Sequence, residues 1–174
     1  MKKFLLAALA VGACGSLMLV QAQDRKSPHE AVSATFGGDK IEIVYGRPYA
    51  KGREIVGGLI PFDKVWRTGA DEATVLRTPA DLMLGSLHVP KGEYSIFTLP
   101  REGGCTLIVN KTAKQWGAFD YDATQDLGRV EMTTSELSEF VEQFTIDFVK
   151  NSESSGVLRM RWENSEASIA LMKH

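Results

Sequence analysis

The sequence predicts an all-β chain: an antiparallel β-sandwich or barrel-like domain with one long irregular loop and at most one short helix. Two observations lead there. Apolar residues recur with a period of two through most of the chain, and Gly, Pro and Asp interrupt the alternating segments at short intervals. A third is the scarcity of any 3.6-residue period, since only Thr133 to Val141 reads as helical, opened by Thr133 and Glu136 as a capping box.

In chain order, strands are predicted at Lys40 to Tyr45, Thr74 to Thr78, Leu82 to Leu84, Glu93 to Leu99, Thr106 to Val109 and Arg129 to Met132. The alternation is clearest near the C-terminus. Phe144, Ile146 and Phe148 alternate with Gln143, Thr145 and Asp147, which puts large apolar groups on one face and polar groups on the other. Leu158, Met160 and Trp162 repeat the pattern against Arg159 and Arg161. Ala167, Ile169 and Leu171 do so again after Asn164 and Ser165, so a C-terminal hairpin turning at Asn164-Ser165 is expected. Short strands separated by turn signals argue for a sandwich or barrel rather than a layered α/β fold.

The N-terminus reads as an export signal. Lys2 and Lys3 precede an apolar run from Phe4 to Val20, and Val20 and Ala22 put small residues where a signal peptidase reads them. Residues 1–22 are therefore expected to be a signal peptide and residues 23–174 a single β domain beginning at Gln23. An uncleaved anchor is the alternative for a run of this length. A lipoprotein signal at Val11-Gly12-Ala13-Cys14 is a further one, but the apolar run continues past Cys14, where a polar tether should begin. The expected location is the periplasm or the medium, with no membrane span after cleavage.

The full chain carries 20 basic and 22 acidic residues, and removing residues 1–22 takes away two lysines and no acid. The acidic balance argues against nucleic acid, and none is expected as a partner. Cys105 is the one cysteine left after processing, so no intramolecular disulfide can form, and its setting in Gly103 to Val109 reads as a strand entering the core. A buried, inert thiol is expected.

Two stretches escape the strand pattern. Residues 46–73, GRPYAKGREIVGGLIPFDKVWRTGADEA, are rich in Gly and in both signs of charge, yet carry Ile55, Val56, Leu59, Ile60, Phe62, Val65 and Trp66, too much apolar surface for a disordered segment. Loops this long are usually functional. The second stretch runs from Asn110 to Gly128 and sets Trp116, Phe119 and Tyr121 among Gly, Asp and Lys.

The string GREIVGGLIPFDKVWRTGADEAT, with KGEYSIFTLP, TLIVNKTAKQWGAFDYD, EQFTIDF and WEN in that order, resembles the bacterial family catalogued as domain of unknown function 2911, over nearly the whole chain from about Ser27. The resemblance implies an exported bacterial protein and brings no activity, substrate or cofactor. It also implies that Asn is common where this chain has Asp71, which makes Asp71 a poorer candidate for a shared site than Arg67 or Glu72.

His29, His88 and His174 are scattered, with none at metal-ligand spacing, so no metal and no cofactor are expected. No nucleophile elbow, Cys-x-x-Cys pair, dinucleotide fingerprint or phosphate loop is present. What stands out is Trp66-Arg67-Thr68-Gly69-Ala70-Asp71-Glu72. Three readings compete for it. Arg67 and Glu72 can form an ion pair that pins the loop over a buried Trp66. They can instead bind a polar ligand, since Arg forms bidentate hydrogen bonds and Trp66 supplies an apolar wall. Catalysis by Glu72 with Asp71 is the third, but neighbouring residues of an extended chain point to opposite faces unless a turn intervenes.

The leading expectation is a ligand- or partner-binding domain that works through the 46–73 loop. Arg47, Lys51, Arg53 and Arg67 would meet anionic or hydroxyl groups, Trp66 and Trp116 would supply apolar faces, Glu72 would orient Arg67, and Tyr121 is a further candidate. The partner is a small molecule, a polymer or an envelope protein. The alternatives are a hydrolase of an extracellular polymer with Glu72 as general acid or base, and a non-catalytic envelope-associated protein. Mass spectrometry of protein recovered from the envelope or medium should show a chain starting at or near Gln23, whereas a diacylated N-terminus at Cys14 would decide for lipoprotein processing.

Overall fold

A computed structural model describes residues 26–174, and the expected signal peptide, the expected cleavage site before Gln23 and Cys14 lie outside the described residues. The chain is all-β and antiparallel, as the alternation predicts. Its strands are β1 (His29–Phe36), β2 (Asp39–Gly46), β3 (Thr74–Thr78), β4 (Leu82–Leu84), β5 (Leu87–Val89), β6 (Gly92–Arg101), β7 (Gly104–Asn110), β8 (Asp126–Lys150) and β9 (Ser155–Lys173). They form one nine-stranded sheet in the order β1-β2-β3-β6-β7-β8-β9-β4-β5.

The sheet is open in its hydrogen bonding but rolled onto itself. Strand β8 is long enough to serve two partners: its first part pairs with β7 and the remainder with β9. The roll carries the β8–β9 end of the sheet back over β1 and β2. The Phe36 and Phe148 rings meet edge to face at 6.3 Å, and the Tyr45 hydroxyl accepts from the Ile146 backbone N–H at 2.9 Å. One core results, shared by Phe36, Ile41, Ile43, Leu76, Ile96, Leu107, Ile146, Leu158 and Leu171 from both ends of the sheet.

The two central strands are buried on both sides. In β6 every residue from Tyr94 to Pro100 is buried; Tyr94 and Ile96 point into the main core, while Phe97 and Leu99 join Ile108 and Ala73 in a second cluster on the outer face. Val65, Ala118 and Tyr121, all from the two irregular stretches, cover that cluster.

Three expectations change. Thr133 to Val141 is strand, not helix: Thr133–Glu136 pair with residues 165–168 of β9, and the register then shifts between Glu136 and Val141 and again before Thr145. The capping-box residues are thus ladder residues beside a bulge. No hairpin turns at Asn164-Ser165 either. Strand β9 runs through it, bent where Glu163 takes φ 52°, and the hairpin joins β8 to β9 at residues 151–154, where Ser155 O accepts from the N–H groups of Asn151 and Ser152 at 3.0 Å. Strands β1 and β5 were not predicted. Strand β1 pairs along its full length with β2 across a turn at Gly37 and Gly38, both at positive φ.

Cys105 is buried in the main core, and burial, reinforced by the nearby Glu131 carboxylate, pushes its thiol up to about 11. A thiol-specific reagent at pH 8 should leave Cys105 unmodified in the native protein and label it fully after unfolding in guanidinium, as read by peptide mapping.

Candidate functional site

The 46–73 stretch is laid down in two stages. It first follows β8: the Phe144 N–H donates to Pro48 O at 2.9 Å and the Ala50 N–H to Glu142 O at 2.8 Å. It then crosses to β6, where Trp66 and Thr98 exchange both backbone hydrogen bonds at 2.8 and 2.9 Å. At its end the Ala73 N–H donates to Gln115 O at 3.0 Å and Glu72 pairs with Trp116. The two irregular stretches are therefore joined to each other over the outer face of the sheet.

Within this frame the predicted residues take different roles. Arg47 is consumed by structure: it ion-pairs with Glu30, and donates to Thr145 Oγ1 at 2.9 Å and Phe144 O at 3.1 Å. Arg53 folds back on its own loop, donating to Ala50 O at 2.9 Å and Tyr49 O at 2.6 Å. Lys51 is exposed, with its backbone N–H on Glu142 Oε1 at 2.9 Å. Trp66 is half-buried, stacked on Trp162 at 5.8 Å and edge-on to Phe144 at 5.0 Å. Tyr121 is engaged as well. Its hydroxyl donates to Asp126, accepts from Arg129 at 2.8 Å, and burial with the Asp126 carboxylate pushes its pKa up to about 12.

Arg67 differs from Arg47 and Arg53. Its backbone O accepts from the Thr74 N–H at 3.1 Å, but its guanidinium makes no hydrogen bond or ion pair with any described residue, and its Nε is covered without a partner among them. The expected orientation of Arg67 by Glu72 is not observed, and neither is a pinning ion pair between them. Glu72 instead turns to His29, with Oε2 3.4 Å from Nε2, and Asp71 Oδ2 lies 3.2 Å from the same nitrogen. Adjacent carboxylates converge here because the chain does turn: Thr68 and Asp71 take φ 57° and 64°, and the Thr74 hydroxyl holds Thr68 O at 2.6 Å.

Three concavities surround the loop. A groove of about 370 Å³ is lined by Lys26, Lys51, Arg53 and Arg67 against one carboxylate, Asp71, with Trp66 and Trp162 as its apolar wall. A cavity of about 510 Å³ on the other side of that wall is mainly apolar, with Val56, Phe62, Phe144 and Met160 beside Arg101 and Glu136. A third, of about 470 Å³, holds His29, Tyr45, Glu72 and Trp116. Lys51, Arg53, Trp66 and Arg67 thus share one groove, and Glu72 and Trp116 another, while Arg47 and Tyr121 line none of the three.

A family model covers residues 27–171. The chain belongs to the family described as a protein of unknown function, DUF2911. No curated protein and no solved structure matches it. In this DUF2911 chain Lys26, Trp162 and His29 are lining residues that the sequence did not single out. Trp162 looked like plain strand core, and nothing in the spacing of His29 tied it to residues 42 positions away.

Arg47 joins β1, the loop and β8 through side-chain bonds, so Arg47→Ala should lower stability by about 1 to 3 kcal/mol, within the range for lost charged hydrogen bonds. Thermal unfolding should show this as a drop of roughly 2 to 4 °C per kcal/mol.

Proposed function

We propose that this DUF2911 protein is an exported ligand-binding domain whose ligand is a small molecule, or polymer end, with an anionic group beside an apolar face. The observation that carries the reading is Arg67. It is a guanidinium without a partner among the described residues, in a groove where Lys26, Lys51 and Arg53 outnumber the single carboxylate Asp71. A planar fork of donors next to an indole wall suits a carboxylate, sulfate or phosphate borne on a flat or apolar skeleton. The Trp66 and Trp162 indoles lie nearly parallel, at 22°, and present a pre-formed surface at low entropic cost. Export rests on the apolar run after Lys2 and Lys3. The hydrolase alternative asks Glu72 to act beside Asp71, but both carboxylates are turned onto His29.

A thermal-shift screen of the purified protein against sugar acids, aromatic carboxylates and phosphate esters tests this, because a ligand of the native state raises its apparent stability. Arg67→Met keeps the stem, which runs beside Gly117, and removes the charge. Its own melting temperature should equal or exceed that of the parent, since no ion pair is broken, while the shift produced by the anionic ligand should disappear. A ligand whose shift survives Arg67→Met would sink the assignment, as would a variant that unfolds.

A further inference from the structure

The convergence of His29, Asp71 and Glu72 is not used by the reading above and has its own chemistry. Three potential ligand atoms, one imidazole nitrogen and two carboxylate oxygens, all lie within 4.8 Å of one another. The nitrogen is 3.2 Å from Asp71 Oδ2 and 3.4 Å from Glu72 Oε2. A metal with bonds of about 2.0 to 2.1 Å sets neighbouring ligands about 3.3 to 3.4 Å apart in a tetrahedral shell. We propose that His29, Asp71 and Glu72 form a binding site for a divalent transition-metal ion, with Zn²⁺ as its best occupant.

The scaffold holds the three groups from two distant segments. His29 opens β1 and is registered opposite Gly46, the last residue of β2. The Ala70 N–H donates to Gly46 O at 3.2 Å, which seats the carboxylate turn directly over that pair. Gly46 is required at this crossing: a Cβ there would stand 2.3 Å from Ala70 O and 3.1 Å from His29 Nε2. The left-handed backbone at Asp71 then delivers both acids to one side.

The donor set argues for the ion. One ring nitrogen carries at most one proton, so it cannot give a linear hydrogen bond to two carboxylates, and a 2+ ion neutralises both. Imidazole with carboxylate suits Zn²⁺ and its first-row neighbours, whereas Ca²⁺ and Mg²⁺ prefer an all-oxygen shell. The side chains keep 26%, 34% and 41% of their surface exposed, which leaves the fourth position open to water or to a ligand in the cavity beside Tyr45 and Trp116.

Isothermal titration with Zn²⁺ of metal-stripped protein, with Co²⁺ visible absorption as a spectroscopic check, tests the site. His88 needs a control, because its Nε2 lies 3.5 Å from Asp81 and its ring 5.8 Å from that of His174. The proposal expects one ion per chain, retained in His88→Ala and weakened more than roughly a hundredfold in both His29→Ala and Glu72→Gln, beyond what losing a residue that only supports a ligand costs. It expects Co²⁺ bands that vanish in the same two variants. Should either variant fold poorly by circular dichroism, imidazole NMR of the wild-type protein decides, through a Zn²⁺-dependent shift of His29. No binding, or binding equally tight in His29→Ala, or no His29 shift, would overturn it and leave the cluster as a contact between an imidazole and two carboxylates.

Discussion

Strands β6 and β7 are buried on both faces, and the irregular parts of the molecule follow from that. Residues of a strand alternate between faces, so any strand crossing a main core also presents a second set of side chains outward. Here that set is Phe97, Leu99 and Ile108, with Phe97 and Ile108 fully shielded from solvent. Leaving them uncovered would forfeit about 1.5 to 3 kcal/mol each. No helix or further sheet covers them among the described residues. The two long stretches do so instead, through Val65 and Ala73 of the first and Ala118 and Tyr121 of the second, while Ala50, Ile55, Val56, Ile60 and Trp66 of stretch 46–73 pack on the main core. The site residues sit at the margins of this cover, where the chain must turn and polar groups emerge.

Much of the sheet could be read from the sequence because half-buried strands impose strict alternation. Strands β3 and β4 match their expected limits, and β2, β6 and β7 match within a few residues. The failures have one origin. From Thr133 to Val141 only weak burial selects one face, since the register shift leaves residues 137–140 without ladder partners and Phe140 53% exposed. Without a buried face the alternation lapses, and Thr133 with Glu136 mimics a helix start. At Asn164-Ser165 the turn chemistry was real but bends a strand instead of ending it. In β1 the exposed and half-buried residues alternate as HEAVSATF, with small Ala and Ser blurring the contrast.

The site was legible as a region and less so as a set of contacts. Charge and aromatic content marked the loop, and Lys51, Arg53, Trp66 and Arg67 do share a groove. Which arginine stays available is a tertiary matter. Arg47 and Arg67 look alike in sequence, yet the side chain of the first finds Glu30, Thr145 and Phe144 O within reach and that of the second finds no partner among the described residues. The alliance of Glu72 with His29 depends on two left-handed residues, Thr68 and Asp71; Asp tolerates that conformation, but the β-branched Thr68 does not announce it.

The stacked indoles of Trp66 and Trp162 line both the cationic groove and the larger apolar cavity. A common wall makes the two spaces thermodynamic neighbours. Were a molecule in one space to shift the indole pair, the width of the other would change, and linkage would make that influence mutual and equal in free energy. Two occupants of this protein would thus sense each other through a pair of side chains, with no movement of the sheet.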